Sequence, residues 1–131
     1  MIVDTSFILD VVNDIDAAVA KEETLKAEAV PLVLPTMTVL ELYIGVGNAT
    51  NTSAERRQVE AVIGSYPVVE TTPSIVRRAG RLIGERMAGD GGSGIGKGDA
   101  EIAATAIERD EPVLTGDSHF ETIDGLTVET Y

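Results

Sequence analysis

The chain has 131 residues, the size of one domain, and enough apolar content (44%) to bury a hydrophobic core. Ten basic side chains stand against 22 acidic ones, a formal net charge of −12, which excludes the simplest nucleic-acid binder, one coated in Lys and Arg. With no cysteine and a single histidine, His119, the chain has no disulfide, no thiol nucleophile and no multi-histidine metal site.

Residues 1–4 read as a short buried strand running into a polar turn, Asp4-Thr5-Ser6. Residues 7–12 and 17–29 carry helical spacing, the second with Ile15, Val19 and Leu25 along its apolar side. The run Pro31-Leu-Val-Leu-Pro35 fits a second buried strand. Thr36 and Thr38 then open a helix to about Val46, with Gly45, Gly47 and Asn48 as its stop signals. Thr52-Ser53-Ala54-Glu55 matches a capping box and predicts a helix over 54–63.

Pro67-Val-Val is a third strand candidate. Thr72-Pro73 places an N-cap before a first-turn proline, and the helix that follows sets Ile75, Val76, Ala79, Leu82, Ile83 and Met87 on one face. The glycine-rich stretch 89–98 predicts a mobile loop. It spells Gly91, four residues, Gly96, Lys97, but Gly98 stands where a phosphate-binding loop needs Ser or Thr, and the stretch follows a helix. A nucleoside-triphosphate site is therefore rejected. Residues 99–109 return to helix, and 112–115 and 126–129 supply two last strands.

Short apolar strands separated by helices imply a mostly parallel sheet covered on both faces. The expected fold is a three-layer α/β/α sandwich with about five strands, forming a single domain over residues 1–131. No stretch approaches the about 20 apolar residues of a membrane span, and no secretory leader precedes Asp4. A cytosolic protein is expected. Only three of the ten basic residues are lysines (Lys21, Lys26, Lys97), and an acidic, lysine-poor surface suits a halophilic cytoplasm of molar salt.

In parallel sheets ligands bind beyond the carboxyl ends of the strands. Asp4 follows the first strand and Asp117 the fourth, Asp99 opens the helix feeding that fourth strand, and Glu41 lies in the helix after the second. Clustered carboxylates repel one another, and a divalent cation removes that penalty. All-oxygen ligands favour Mg2+ or Mn2+ over zinc. Each acid also has a plainer reading: Asp4 as a turn residue, Glu41 as a capping-box partner of Thr38, Asp99 as an N-cap, Asp117 as the cap of a short turn.

Four segments, in order, resemble the signature blocks of PIN domains, and most of all those of VapC-type toxins from toxin–antitoxin pairs. They are Ile2-Val3-Asp4-Thr5-Ser6, Thr38-Val-Leu-Glu41-Leu-Tyr-Ile-Gly45, Gly98-Asp99-Ala-Glu-Ile-Ala-Ala-Thr-Ala106 and Leu114-Thr115-Gly-Asp117-Ser-His-Phe120. The resemblance implies a metal-dependent endoribonuclease using Mg2+ or Mn2+, with RNA as substrate, a cognate antitoxin as partner and a homodimeric state.

Carried over by position, Asp4 and Asp99 would be the primary metal ligands. Glu41 and Asp117 would complete the cluster, and one of them would accept the proton of the attacking water. Thr5, Ser6 and Thr115 would orient carboxylates and water. One or two cations would activate water and stabilise an in-line phosphodiester displacement.

His119 stands where relatives often carry an acid and reads as a partly exposed packing residue, with a proton donor to the leaving group as the alternative. Arg77, Arg78 and Arg81, with Arg56 and Arg57, are either a solvated face, with a pair such as Arg81–Glu85, or contacts for RNA or an acidic antitoxin segment. The competing reading of the whole chain is a non-catalytic or free-standing PIN-like RNA-processing or binding module.

Overall fold

Five parallel strands of two residues each alternate with six helices in the computed structural model, which describes residues 1–89 and 94–131. In chain order they are β1 (Ile2–Val3), α1 (Thr5–Val12), α2 (Asp16–Ala27), β2 (Leu34–Pro35), α3 (Thr36–Asn48), α4 (Thr52–Ile63), β3 (Val68–Val69), α5 (Pro73–Ala88), α6 (Lys97–Arg109), β4 (Val113–Leu114) and β5 (Val128–Glu129). A 3-10 turn, Ser118–Thr122, follows β4. None of the described helices is long and apolar enough to cross a membrane.

β4 lies between β1 and β5 in one three-stranded sheet, and β2 pairs with β3 in a second. An isolated parallel bridge between Ile2 and Val33 joins the two, with Val3 N donating to Val33 O at 3.0 Å and Val33 N to Met1 O at 3.0 Å. The strands are brief because helices start at their ends: Thr5 opens α1 one residue after β1, and Thr36 opens α3 directly after Pro35.

Strand alternation divides the core. Val3, Leu34 and Leu114 face one side and pack with Phe7, Ile8 and Val11 of α1, Ala18 and Leu25 of α2, Leu42 and Val46 of α3 and Val59 of α4. Ile2, Val33 and Val113 face the other and pack with Ile102, Ala103 and Ala106 of α6 and with Phe120. The expected layering is thus present, with α5 as an outer helix that meets α6 through Ile75 and Ala79 against Ala100 and Ala104. Small residues there let the two helices approach closely.

Local expectations differ at several points. The polar Asp4-Thr5-Ser6 segment is no separate turn, since α1 begins at Thr5. α3 runs through Gly45 and Gly47 to Asn48 and ends where Ala49 turns extended. The cap of α4 is Asn51, whose Oδ1 accepts from Ala54 N at 3.1 Å. Thr52 donates to Ala49 O instead of closing a capping box.

Thr72 caps α5 as expected, accepting from Ile75 N at 3.2 Å. Val76 and Met87 nevertheless point to solvent, Met87 being 79% exposed. α6 starts at Lys97, two residues early, which puts Asp99 inside the first turn. Part of the glycine-rich loop, residues 90–93, lies outside the described residues. Beyond it, Ile95 packs against the α5–α6 core and so anchors the lead-in to α6.

Candidate functional site

Asp4 follows β1 and stands at the N-cap position of α1, where its side chain makes no capping hydrogen bond. It is only 4% exposed, and its Oδ2 accepts from Ser6 Oγ at 2.7 Å and from Thr115 Oγ1 at 2.8 Å. A buried carboxylate needs such donors. The turn reading of Asp4 fails, because its carboxylate reaches across to the end of β4.

The same hydroxyls shape the chain after β4. Ser6 Oγ accepts from Gly116 N at 3.1 Å, and Thr115 Oγ1 accepts from Asp117 N at 2.9 Å. Asp117 then caps the 3-10 turn, its Oδ1 accepting from His119 N at 2.9 Å. Its plainer reading is therefore realised in the geometry. The imidazole of His119, exposed and 3.5 Å from Asp117 Oδ1, packs in no core.

Glu41 leaves α3 toward the same end of the sheet, where its Oε1 accepts from Thr5 Oγ1 at 2.7 Å. It is no capping-box partner of Thr38, since α3 begins at Thr36 and Thr38 Oγ1 donates to Val3 O at 2.9 Å. On the far side it meets α6: a Cβ at Gly98 would stand 2.8 Å from Glu41 Oε2. Glycine at 98 is thus what lets this carboxylate lie beside Asp99.

Asp99 feels all of this. Burial first, then the charges of Asp4, Asp117 and Glu41, push its carboxyl from 3.8 up to about 6, while His119 pulls slightly the other way. The four acids expected from the sequence therefore share one electrostatic environment. Among the described residues, no three Asp, Glu or His side chains are already disposed to hold a metal ion. The donor chemistry fits a hard dication, being carboxylate and hydroxyl oxygen throughout. The repulsion on Asp99 is the penalty such a charge would relieve.

The basic residues lie elsewhere. Arg78 pairs with Glu108 across α5 and α6 at 2.8 Å, an ion pair between helices. Arg86 donates to Thr122 O at 2.6 Å. Ser74, Arg77, Gly80 and Arg81 line an open groove that touches none of the four acids. Arg56 sits 4.0 Å from Glu60 along α4.

Asp10 and Tyr131 were not singled out by sequence. The Tyr131 hydroxyl donates to Asp10 Oδ2 at 2.6 Å, and a Cβ at Gly116 would lie 2.6 Å from that hydroxyl. Neither residue carries a local sequence signal. Glycines 98 and 116 do, since each directly precedes a candidate acid.

The chain matches the PIN domain model over residues 1–126. Among curated proteins none matches it. Among solved structures it is similar to VapBC2 from Rickettsia felis bound to a promoter DNA fragment, at TM-score 0.87 and 20% identity over 99% of this chain and 97% of that one. DNA-bound VapBC from Salmonella typhimurium gives TM-score 0.85 and 21% identity, over 98% and 96%. VapBC-5 from Mycobacterium tuberculosis, described as a member of the VapBC family of toxin-antitoxin systems, gives 0.70 and 26%, over 98% and 94%. The strand-end acids, the parallel strand order and the match over nearly the whole length converge: this chain belongs to the PIN domain family.

Proposed function

We propose that this PIN domain is a metal-dependent endoribonuclease and the toxin of a toxin–antitoxin pair. The observation that carries the nuclease reading is that Asp4, Glu41 and Asp117 all act on Asp99, whose carboxyl burial first and then these charges raise to about 6. A fold holds mutually repelling carboxylates together at a cost to its stability, and catalysis is the usual return. The toxin role is supported by likeness to toxin–antitoxin assemblies.

Asp4 and Asp99 would hold Mg2+ or Mn2+, with Glu41 and Asp117 completing the cluster. When bound, the cation activates water and stabilises the charge of an in-line phosphodiester displacement. Ser6 and Thr115 fix Asp4 by occupying Oδ2. Thr5 holds Glu41 Oε1, and His119 N holds Asp117 Oδ1. One of these two acids would accept the proton of the attacking water.

RNA must approach a chain of net charge −12, and affinity for phosphates then depends on cations and on screening. The acidic surface accordingly supports a halophilic, cytoplasmic setting. α3 leaves Leu40, Tyr43 and Ile44 exposed, Ile44 at 61%, and such a patch supports association with a second copy or with an antitoxin.

The test is RNA cleavage in high salt with Mg2+, Mn2+ or EDTA. Activity should need the metal and vanish in Asp4→Asn. Metal-independent cleavage, or full activity in that variant, contradicts the proposal.

A further inference from the structure

Behind the cluster a second acid, Asp10, holds a phenol against the backbone that follows β4. Tyr131 Oη donates to Asp10 Oδ2 at 2.6 Å. Ser6 donates to Asp4 at 2.7 Å and accepts from Gly116 N at 3.1 Å. The Tyr131 ring stands edge-on against the fully buried Phe7 of α1, with centroids 5.1 Å apart and planes at 73°. Gly116 runs so close over the phenol that a Cβ there would fall 2.6 Å from the hydroxyl and 3.7 Å from Asp10 Oδ2.

We infer that Tyr131 and Asp10 act as a positioning pair for the proposed metal site, bracing the Gly116–Asp117 backbone and, through the Gly116 amide on Ser6, the carboxylates of Asp4 and Asp117. The inference rests on the nuclease reading for its consequence, but not for its geometry. The pair touches no reacting atom. Its effect passes through the Gly116 backbone and the Ser6 hydroxyl, so it orders the ligands and makes no contact with RNA.

The chemistry of each member suits this task. Burial, then the hydrogen bond to Asp10, holds the Tyr131 hydroxyl well above its ordinary range, so it remains a donor at any working pH. Asp10 is the acceptor that fixes the direction of that donor. Ser6 has a single proton, and Asp4 takes it; Gly116 N donates to its oxygen, and Thr115 Oγ1 lies 3.2 Å away. Removing the phenol oxygen opens a gap under Gly116, whose amide holds Ser6.

Tyr131→Phe keeps the ring on Phe7 and deletes only the hydroxyl. Partners that orient metal ligands are worth about 10–100-fold in metal affinity or activity when removed. The expected result is about tenfold weaker binding of Mn2+ alone and about tenfold lower kcat, with KM for RNA unchanged. In the metal-free protein, hydrogen exchange at the amides of Gly116 and Asp117 should quicken about tenfold.

Asp10→Ala, which removes the acceptor instead, should give the same losses, and the double variant should lose no more than either single one. Additive losses, or a raised KM with kcat intact, overturn the inference. So do wild-type Mn2+ affinity and wild-type amide exchange in both variants. A wild-type protein that neither binds Mn2+ nor cuts RNA contradicts the proposed function, and the amide exchange then decides the positioning role on its own.

Discussion

Asp99 shows how a single carboxyl records the chemistry of a whole site. Its folded value of about 6 against 3.8 means that ionisation is disfavoured by the fold. The cost is absent below about pH 4, grows as the pH rises toward 6 and is fully present above it. Asp99→Asn removes that cost. The residue is only partly buried, so solvent screening reduces the gain to about 1 kcal/mol. In EDTA at pH 7.5 the variant should melt about 3–5 °C above wild type, and at pH 4 the difference should vanish. The same variant should have no nuclease activity. Conversely, Mn2+ binding by the wild type should weaken as the pH falls through about 6, because the proton competes for Asp99.

Glycine at 98 makes a second residue-scale case. A Cβ there would press on Glu41 Oε2 at 2.8 Å, and a flexible carboxylate can move away. Gly98→Ala should therefore keep its melting temperature while losing about tenfold in cleavage rate, read by comparing thermal melts with initial rates; unchanged cleavage would count against a role for Glu41 in this position.

Helix ends differ in how much of their capping is written in the local sequence. Thr72 before Pro73 was legible, because a side-chain oxygen three residues from a free amide and a proline at the first position leave little else. At α4 two adjacent candidates competed, and Asn51 took the cap that Thr52 and Glu55 seemed placed to form. Asn51→Ala should cost about 1 kcal/mol and Thr52→Ala only a few tenths, measured by urea denaturation. α3 passes through Gly45 and Gly47 because its buried face, Thr38, Leu42 and Val46, outweighs the glycine cost. On α5, periodicity counts Met87 and Val76 as core, but both lie outside the apolar contact that Ile75 and Ala79 make with α6.

At the scale of the molecule, the alternation of short apolar strands with helices was enough to place four acids at one end of a parallel sheet. What stayed illegible was long-range. Nothing near residue 131 shows that its phenol returns to α1, nor that Asp10 waits there. Contacts that span most of the chain leave no local spacing to read.

The net charge of −12 also acts at this scale, through self-repulsion that salt screens over about 3 Å at 1 M. The melting temperature should rise between low and molar KCl. A flat or falling curve would remove the support for a halophilic setting. Ile44→Glu, on the exposed face of α3, should shift the hydrodynamic mass downward if that face joins two copies.

The most direct measurement is cleavage of RNA by the purified protein in molar salt, titrated with Mn2+ and stopped with EDTA, beside Asp4→Asn at equal folded concentration. Strand scission that follows Mn2+ occupancy, stops on chelation and is absent in the variant is the expected result. Cleavage that persists in EDTA, or in a folded Asp4→Asn protein, would contradict a carboxylate-held metal as the catalytic centre.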